Sequence, residues 1–376
     1  MKRLLVVSVG LAALTVGVLF AWYAVHQERE FQRLIATGDS ALAQDETFGA
    51  IEAFSGALAL KRDSMLAHLK RGDTYRRRGD LDAALRDLRE AAALDPAAPR
   101  PIELLGDVNA ALGHYERAAD YYRAFTQLDD RAPRVLYKLA LAHYRNGQPE
   151  RAIEPLRSAV GIDDRFAEAH YLLGMCLRDQ SDDAGALRAL TRAVDINVAF
   201  AAAREELAAL YERAGRRREA IEQLEALAAL EPARPERLIS VGLAYARWNR
   251  TDTAVLTLGR AAERFPDEPR VYTALGRVWL DAAELNSDRV AVSKALQALQ
   301  PRAAAADASS EALMLYGRAL FVSGNAGAAE RLLLQATRKA PVEPIAFRYL
   351  ADAAERLGHA AAAQDALQRY VALAGD

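Results

Sequence analysis

Apolar and polar residues divide the chain into two regimes. From Leu4 to Val25 the sequence LLVVSVGLAALTVGVLFAWYAV runs 22 residues without a charge. From about Phe31 onward, apolar and small residues recur among charged ones, and nowhere with the period of two that marks a half-buried strand. In LKRGDTYRRRGDLDAALRDLREAAALDP, Leu69 to Pro96, the positions Gly72, Gly79, Ala84, Ala91 and Pro96 are spaced 7, 5, 7 and 5 apart. A single helix here would carry two glycines, each costing about 1 kcal/mol relative to alanine, and would stop at Pro96. The pattern predicts two short helices with a turn at Gly79-Asp80.

The same arrangement repeats. The small residue of the first helix recurs at Gly38, Gly72, Gly106, Ala140, Gly174, Ala208, Gly242 and Gly276, always 34 residues apart, and after a step of 41 it resumes at Gly317 and Ala351. A second small residue runs in parallel through Ala50, Ala84, Ala118, Ala152, Ala186, Ala220, Ala254, Ala291, Ala329 and Ala363. The period predicts ten copies, near 31–64, 65–98, 99–132, 133–166, 167–200, 201–234, 235–268, 269–309, 310–343 and 344–376. The eighth, with LDAAELNSDRVAVSKALQALQPRAAAADASS from Leu280, carries the extra residues, which would lengthen its helices or loops.

With Tyr at Tyr75, Tyr211 and Tyr245, turn glycines at Gly79, Gly113, Gly147 and Gly215, and closing prolines at Pro96, Pro232, Pro266 and Pro341, the chain resembles the tetratricopeptide repeat (TPR) family over about nine tenths of its length. The resemblance implies an all-α fold, a right-handed α-solenoid of about ten helix hairpins over residues 28–376, whose concave groove is lined mainly by first helices. Each hairpin buries its apolar face only against its neighbours, and a small residue is needed where two helices cross closely. The family holds proteins or peptides in that groove, so the expected activity is a non-enzymatic scaffold, and no residues are left after the solenoid for a catalytic domain.

The uncharged run at the N-terminus is long enough, at 1.5 Å per helical residue, to cross a bilayer core. It therefore predicts a membrane anchor over residues 1–27, with the apolar segment at 4–25 and Trp22 and Tyr23 at its headgroup end. A cleaved signal peptide is the competing reading, and would leave a soluble periplasmic or secreted adaptor; its apolar core is usually shorter and ends on small residues, whereas this run ends in FAWYAV. Lys2 and Arg3 favour an amino terminus on the cytoplasmic side. Only six of 49 Lys and Arg residues are Lys, a bias typical of GC-rich bacteria. The expectation is a single-pass protein of a bacterial inner membrane with its repeats in the periplasm, serving envelope assembly.

A net charge of −2 gives no basic excess for nucleic acid. Cys176 is alone, which excludes an intramolecular disulfide and a paired-cysteine metal site, and the histidines are scattered over separate copies. Cys176, His143 and His170 read as packing residues of the hairpins. No cofactor, metal or catalytic group is expected.

In the family's frame the groove is lined by the second, fifth, sixth, ninth, twelfth and thirteenth positions of each copy. The resemblance assigns Leu66, Leu69, Lys70, Asp73, Arg76 and Arg77 to it in the second copy, and Arg134, Tyr137, Lys138, Leu141, Tyr144 and Arg145 in the fourth. Lys70, Arg77, Arg100, Arg134, Tyr137, Lys138, Tyr144 and Tyr171 are the candidate partner-binding residues, since guanidinium forks and phenol rings suit a peptide carrying carboxylates. The alternative is a solvated face. Tyr137 and Leu141 occupy the places where chaperone-type members carry a carboxylate clamp, so that clamp is absent. Apolar Met314, Leu315, Phe321, Ile345, Tyr349, Tyr370 and Leu373 in the last copies suggest self-association or an imperfect cap.

Overall fold

The computed structural model describes residues 2–286 and 288–374; the side chains of residues 2–13, 15, 16 and 286 are not described. Among the described residues all regular structure is helical, in 20 helices. The chain divides into two compact units, Met1–Asn197 and Val198–Asp376. The first holds α1 (Lys2–Ala43), α2 (Thr47–Leu60), α3 (Met65–Arg78), α4 (Leu81–Leu94), α5 (Pro99–Ala111), α6 (Tyr115–Leu128), α7 (Pro133–Arg145), α8 (Pro149–Ile162), α9 (Ala167–Asp179) and α10 (Asp183–Ile196). The second holds α11 (Ala201–Arg213), α12 (Arg217–Leu230), α13 (Pro235–Arg247), α14 (Thr251–Arg264), α15 (Pro269–Asn286), α16 (Arg289–Ala303), α17 (Ser310–Val322), α18 (Ala326–Ala336), α19 (Pro344–Arg356) and α20 (Ala360–Ala374).

Odd-numbered helices are the first helices of hairpins and even-numbered ones the second. Each first helix packs most closely on the second helix that follows it, and within each unit that second helix packs on the next hairpin. Punctuation explains the boundaries. Ser64 accepts a hydrogen bond from the Ala67 amide at 3.2 Å and Asp182 one from Gly185 at 2.8 Å, satisfying amides that open α3 and α10. Proline opens α5, α7, α8, α13, α15 and α19, where its missing amide hydrogen costs nothing.

The turn inside the hairpin needs a left-handed residue, and it falls at Asp45, Gly79, Gly113, Gly147, Ser181, Gly215 and Asn249, all with positive φ. Asn249 is thus the turn residue that precedes α14. Thirty-four residues beyond Asn249 stands Ala283, which is helical: α15 runs through the usual turn and reaches 18 residues, against 13 in α13. The added residues of the eighth copy therefore extend its first helix and shift the start of its second.

The core repeats with the copies. Where the first helix carries glycine, a bulky side chain of the second helix lies on it: Leu88 on Gly72, Tyr122 on Gly106, Leu190 on Gly174, Leu258 on Gly242 and Leu333 on Gly317. Leu88, Leu190, Leu258 and Leu333 are wholly buried, as are Ala84, Ala118, Ala152 and Ala186. Burying one such leucine is worth about 1.5–3 kcal/mol. Cys176 is wholly buried and His143 nearly so, as the packing reading of both requires.

The N-terminal expectation is corrected. Among the described residues no helix is long and apolar enough to cross a membrane, so the single-pass inner-membrane placement with a periplasmic solenoid does not stand. The side chains of residues 4–13, 15 and 16 in the Leu4–Val25 run lie outside those described. Below it the same helix becomes amphipathic and buries Phe31 and Ile35 against Phe54 of α2.

The apolar patch expected near the C-terminus is also corrected. Met314 and Leu315 are buried at 4% and 2% exposure inside the hairpin core rather than facing outward. Tyr349 and Phe321 are half-buried under the guanidinium groups of Arg318 and Arg356. Leu367, Val371 and Leu373 of α20 are exposed.

Candidate partner-binding face

First helices of neighbouring copies touch one another directly, α3 with α5 and α7 with α9 in the first unit, α13 with α15, α15 with α17 and α17 with α19 in the second. Second helices of neighbouring copies make no comparable approach among the described residues. The first helices thus form the tighter, inner layer of each unit.

The eight predicted residues lie on four successive first helices of that layer: Lys70 and Arg77 on α3, Arg100 on α5, Arg134, Tyr137, Lys138 and Tyr144 on α7, and Tyr171 on α9. Only some come together. Lys138 reaches across to α5, donating to Glu103 at 2.7 Å and Asp107 at 3.0 Å, and Arg100 donates to the same Glu103 at 2.5 Å. Burial pushes the Glu103 carboxyl up, but the Lys138 and Arg100 pairs outweigh it and hold it below its ordinary range. Asp107 in turn accepts from the Tyr122 hydroxyl at 2.8 Å, and burial, then the Asp107 charge, drives that phenol far above its ordinary value.

Lys70 stands apart, donating to Asp39 of α1 at 2.7 Å, and Arg77 pairs with Asp73 on its own helix at 3.1 Å. On α7, Tyr137 is half-buried, tilted against the Phe166 ring at 5.1 Å, and burial raises its hydroxyl's pKa. Burial likewise raises that of Tyr144, followed by the charge of Asp179. Tyr171 is half-buried on α9. Arg134 is exposed and has no ion-pair partner among the described residues.

Counting charges copy by copy missed the Lys70 and Lys138 pairs because their partners sit 31 to 35 residues away, on the preceding first helix. The second unit repeats the device: Arg237 with Glu205, Arg270 with Glu236 at 2.5 Å, Arg277 with Glu311, and Arg318 with Glu284 and Asp281. One period is the distance between adjacent first helices along the chain, so a basic residue answered by an acidic one a period away was the available signal. The inner layer is a ladder of ion pairs more than a bare basic strip.

Nothing in this layer pairs a nucleophile with a base. Among the described residues no group of three His, Cys, Asp or Glu side chains is placed to hold a metal ion. Burial, then Asp179, pushes the Cys176 thiol up to about 12, so it is no thiolate at neutral pH. What the layer offers a partner is hydrogen-bond donors, aromatic edges and an unpaired guanidinium.

An all-helical stack of hairpins with a shared 34-residue period defines a helical repeat protein. The profile described as "Tetratricopeptide repeat" matches residues 104–166, 205–269 and 315–376, and one described as "TPR repeat" matches 72–113. These span more than half of the chain, and the protein belongs to the tetratricopeptide repeat family. No protein of curated function matches it in sequence. Among solved structures it is similar to the C-terminal part of a TPR repeat-containing protein from Cytophaga hutchinsonii, at 15% identity and TM-score 0.52, covering 69% of this chain and 98% of that one. It is similar also to a fragment of MamA from Desulfovibrio magneticus, at 24% identity and TM-score 0.43 over 45% of this chain and 96% of that one. YrrB, described as a TPR protein with an unusual peptide-binding site, aligns at 22% identity and TM-score 0.44 over 49% of this chain and 94% of that one.

Proposed function

We propose that this protein is a non-enzymatic adaptor that holds a partner protein or peptide against the inner layer of first helices in its N-terminal unit, centred on α7. The observation that carries this reading is Arg134: it is exposed and without an ion-pair partner among the described residues, whereas Lys70, Arg77, Arg100 and Lys138 are all answered by carboxylates. Arg134, Tyr137, Lys138 and Tyr144 follow at helical spacing along one stripe of α7. A guanidinium fork flanked by phenol hydroxyls suits a partner's carboxylate, bound bidentately and stacked on an aromatic edge. The ion-pair ladder around it keeps the layer rigid and neutralises charge that would otherwise attract acidic partners without discrimination.

The test is photocrosslinking from α7 in cells, with the reactive group at Arg134 or Tyr137 and, as a control, at Glu154 on the outward helix α8. Partners captured from α7 and lost in an Arg134→Glu background support the reading. Equal capture from α8, or capture that survives Arg134→Glu unchanged, rejects it.

A further inference from the structure

A cavity of about 580 Å³, in the size range of ligand sites, lies between α15 and α16 in the second unit. Its walls are Tyr272, Leu275 and Trp279 of α15, with Pro266 closing one end. At about 100° per residue these three side chains fall on the side of α15 opposite Arg270 and Arg277, which belong to the inner ladder. The cavity is therefore off the inner face altogether. From α16 it is lined by Lys294, Gln297, Pro301 and Arg302, and no aspartate or glutamate lines it.

Two features give it a chemistry. Trp279, Tyr272 and Leu275, all half-buried, form an apolar, partly aromatic wall. Lys294 stands over the Trp279 ring at 4.2 Å from its centre, and neither Lys294 nor Arg302 has an ion-pair partner among the described residues. Two unpaired cations beside a partly aromatic wall complement one kind of occupant: a planar apolar group with a carboxylate close beside it.

We propose that this cavity is a second binding site, independent of the inner layer, for a peptide segment in which an aromatic side chain adjoins an acidic one. The aromatic ring enters against Trp279 and Leu275, and the carboxylate pairs with Lys294 and Arg302. The same chemistry is offered by a free aromatic acid, which lacks only the backbone amides.

The test uses the full chain and a fluorescein-labelled peptide with the core Gly-Ser-Glu-Phe-Ser, read by anisotropy at low salt. Saturable binding is expected, weakened roughly tenfold or more when the peptide's Glu is replaced by Gln or when the protein carries Lys294→Glu with Arg302→Glu. That double variant changes side chains near the surface, and an unchanged melting temperature shows it to be folded. Arg134→Glu, in the other unit, leaves this affinity unchanged, which separates this site from the adaptor surface proposed above. Absence of binding, or equal affinity in the charge-reversed variant, overturns the proposal. Phenylacetate displacing the peptide with the peptide's own affinity overturns the peptide as occupant.

Discussion

The Tyr122 ring lies on Gly106 so closely that a β-carbon on the glycine would sit 2.5 Å from it, while the Tyr122 hydroxyl donates to neighbouring Asp107 at 2.8 Å. The ring cannot retreat without giving up that hydrogen bond. Gly106→Leu is expected to cost about 1–3 kcal/mol, as overpacked cores do. Gly161, around which a β-carbon would meet nothing within 4 Å, is the control. Gly161→Ala should leave the melting temperature unchanged or raise it slightly. Equal responses at the two sites would show that Gly106 marks no crossing.

Asp87, on α4, is buried and accepts from both Arg71 nitrogens of α3, at 2.7 and 2.8 Å, and lies 3.0 Å from the His68 ring nitrogen. Removing its carboxylate strands a half-buried guanidinium. Asp87→Ala is expected to lower stability by about 1.5–3 kcal/mol, the usual range for a hydrogen-bonded charge. Urea unfolding measures it; a loss no larger than that of an exposed pair such as Arg123 with Asp120 would count against the network.

Burial lowers the pKa of His143 and of His170 below the ordinary 6.5. The native state thus keeps these rings neutral while the unfolded chain takes up protons. Stability is full above about pH 6.5 and falls as the pH drops below it toward the lowered native values. His143, whose Nδ1 is buried without a partner, should carry much of this slope. In His143→Leu the melting temperature between pH 7 and 5 is expected to fall less than in the wild type; identical slopes would assign the dependence elsewhere.

Reversing Arg134 and reversing Lys138, both on α7, should give different results. Arg134→Glu alters an exposed, unpaired group, and its effect on stability should stay within about 0.5 kcal/mol. Lys138→Glu sets a third carboxylate beside Glu103 and Asp107 and is expected to destabilise the α5–α7 contact, with a smaller loss at high salt. Thermal melts at two ionic strengths distinguish them. The clean probe of partner binding is therefore Arg134 alone, not the two together.

Cys176 should resist alkylation at neutral pH until the chain unfolds, because its thiol is wholly buried and held up to about 12. Iodoacetamide labelling across a urea series should follow global unfolding. Labelling that precedes the loss of helix would show α9 opening on its own.

What the sequence made legible was whatever repeats with the period: the hairpins, the glycine at the crossing, and the turn at Gly79, for which Ser181 and Asn249 substitute as left-handed residues. The α7 stripe followed from the same frame. The pairing of Lys138 with Glu103 and Asp107 did not, because charges were summed within a copy while the partners belong to the copy before. The lengthening of α15 was hidden for another reason. Extra residues announced an irregular copy, but only the backbone shows that Ala283 stays helical where its counterparts turn. The N-terminal anchor was read from the uncharged run with Trp22 and Tyr23 at its end, whereas among the described residues no helix is long and apolar enough to cross a membrane, and the same helix goes on to pack Phe31 and Ile35 on α2.

Because, within each unit, each hairpin packs on the one just before it in the chain, folding and synthesis can proceed in the same direction. When α7 and α8 emerge from a ribosome, the surface that receives them, α5 and α6, already exists. No early segment has to wait for a late one, so little apolar surface stands open during translation, and contacts between sequence neighbours form quickly. An added copy of 34 residues would extend such an array without re-registering what came before, whereas the step of 41 shows what a partial insertion does: it is absorbed within one hairpin and leaves the spacing of the next, from Ser310 to Pro344, intact.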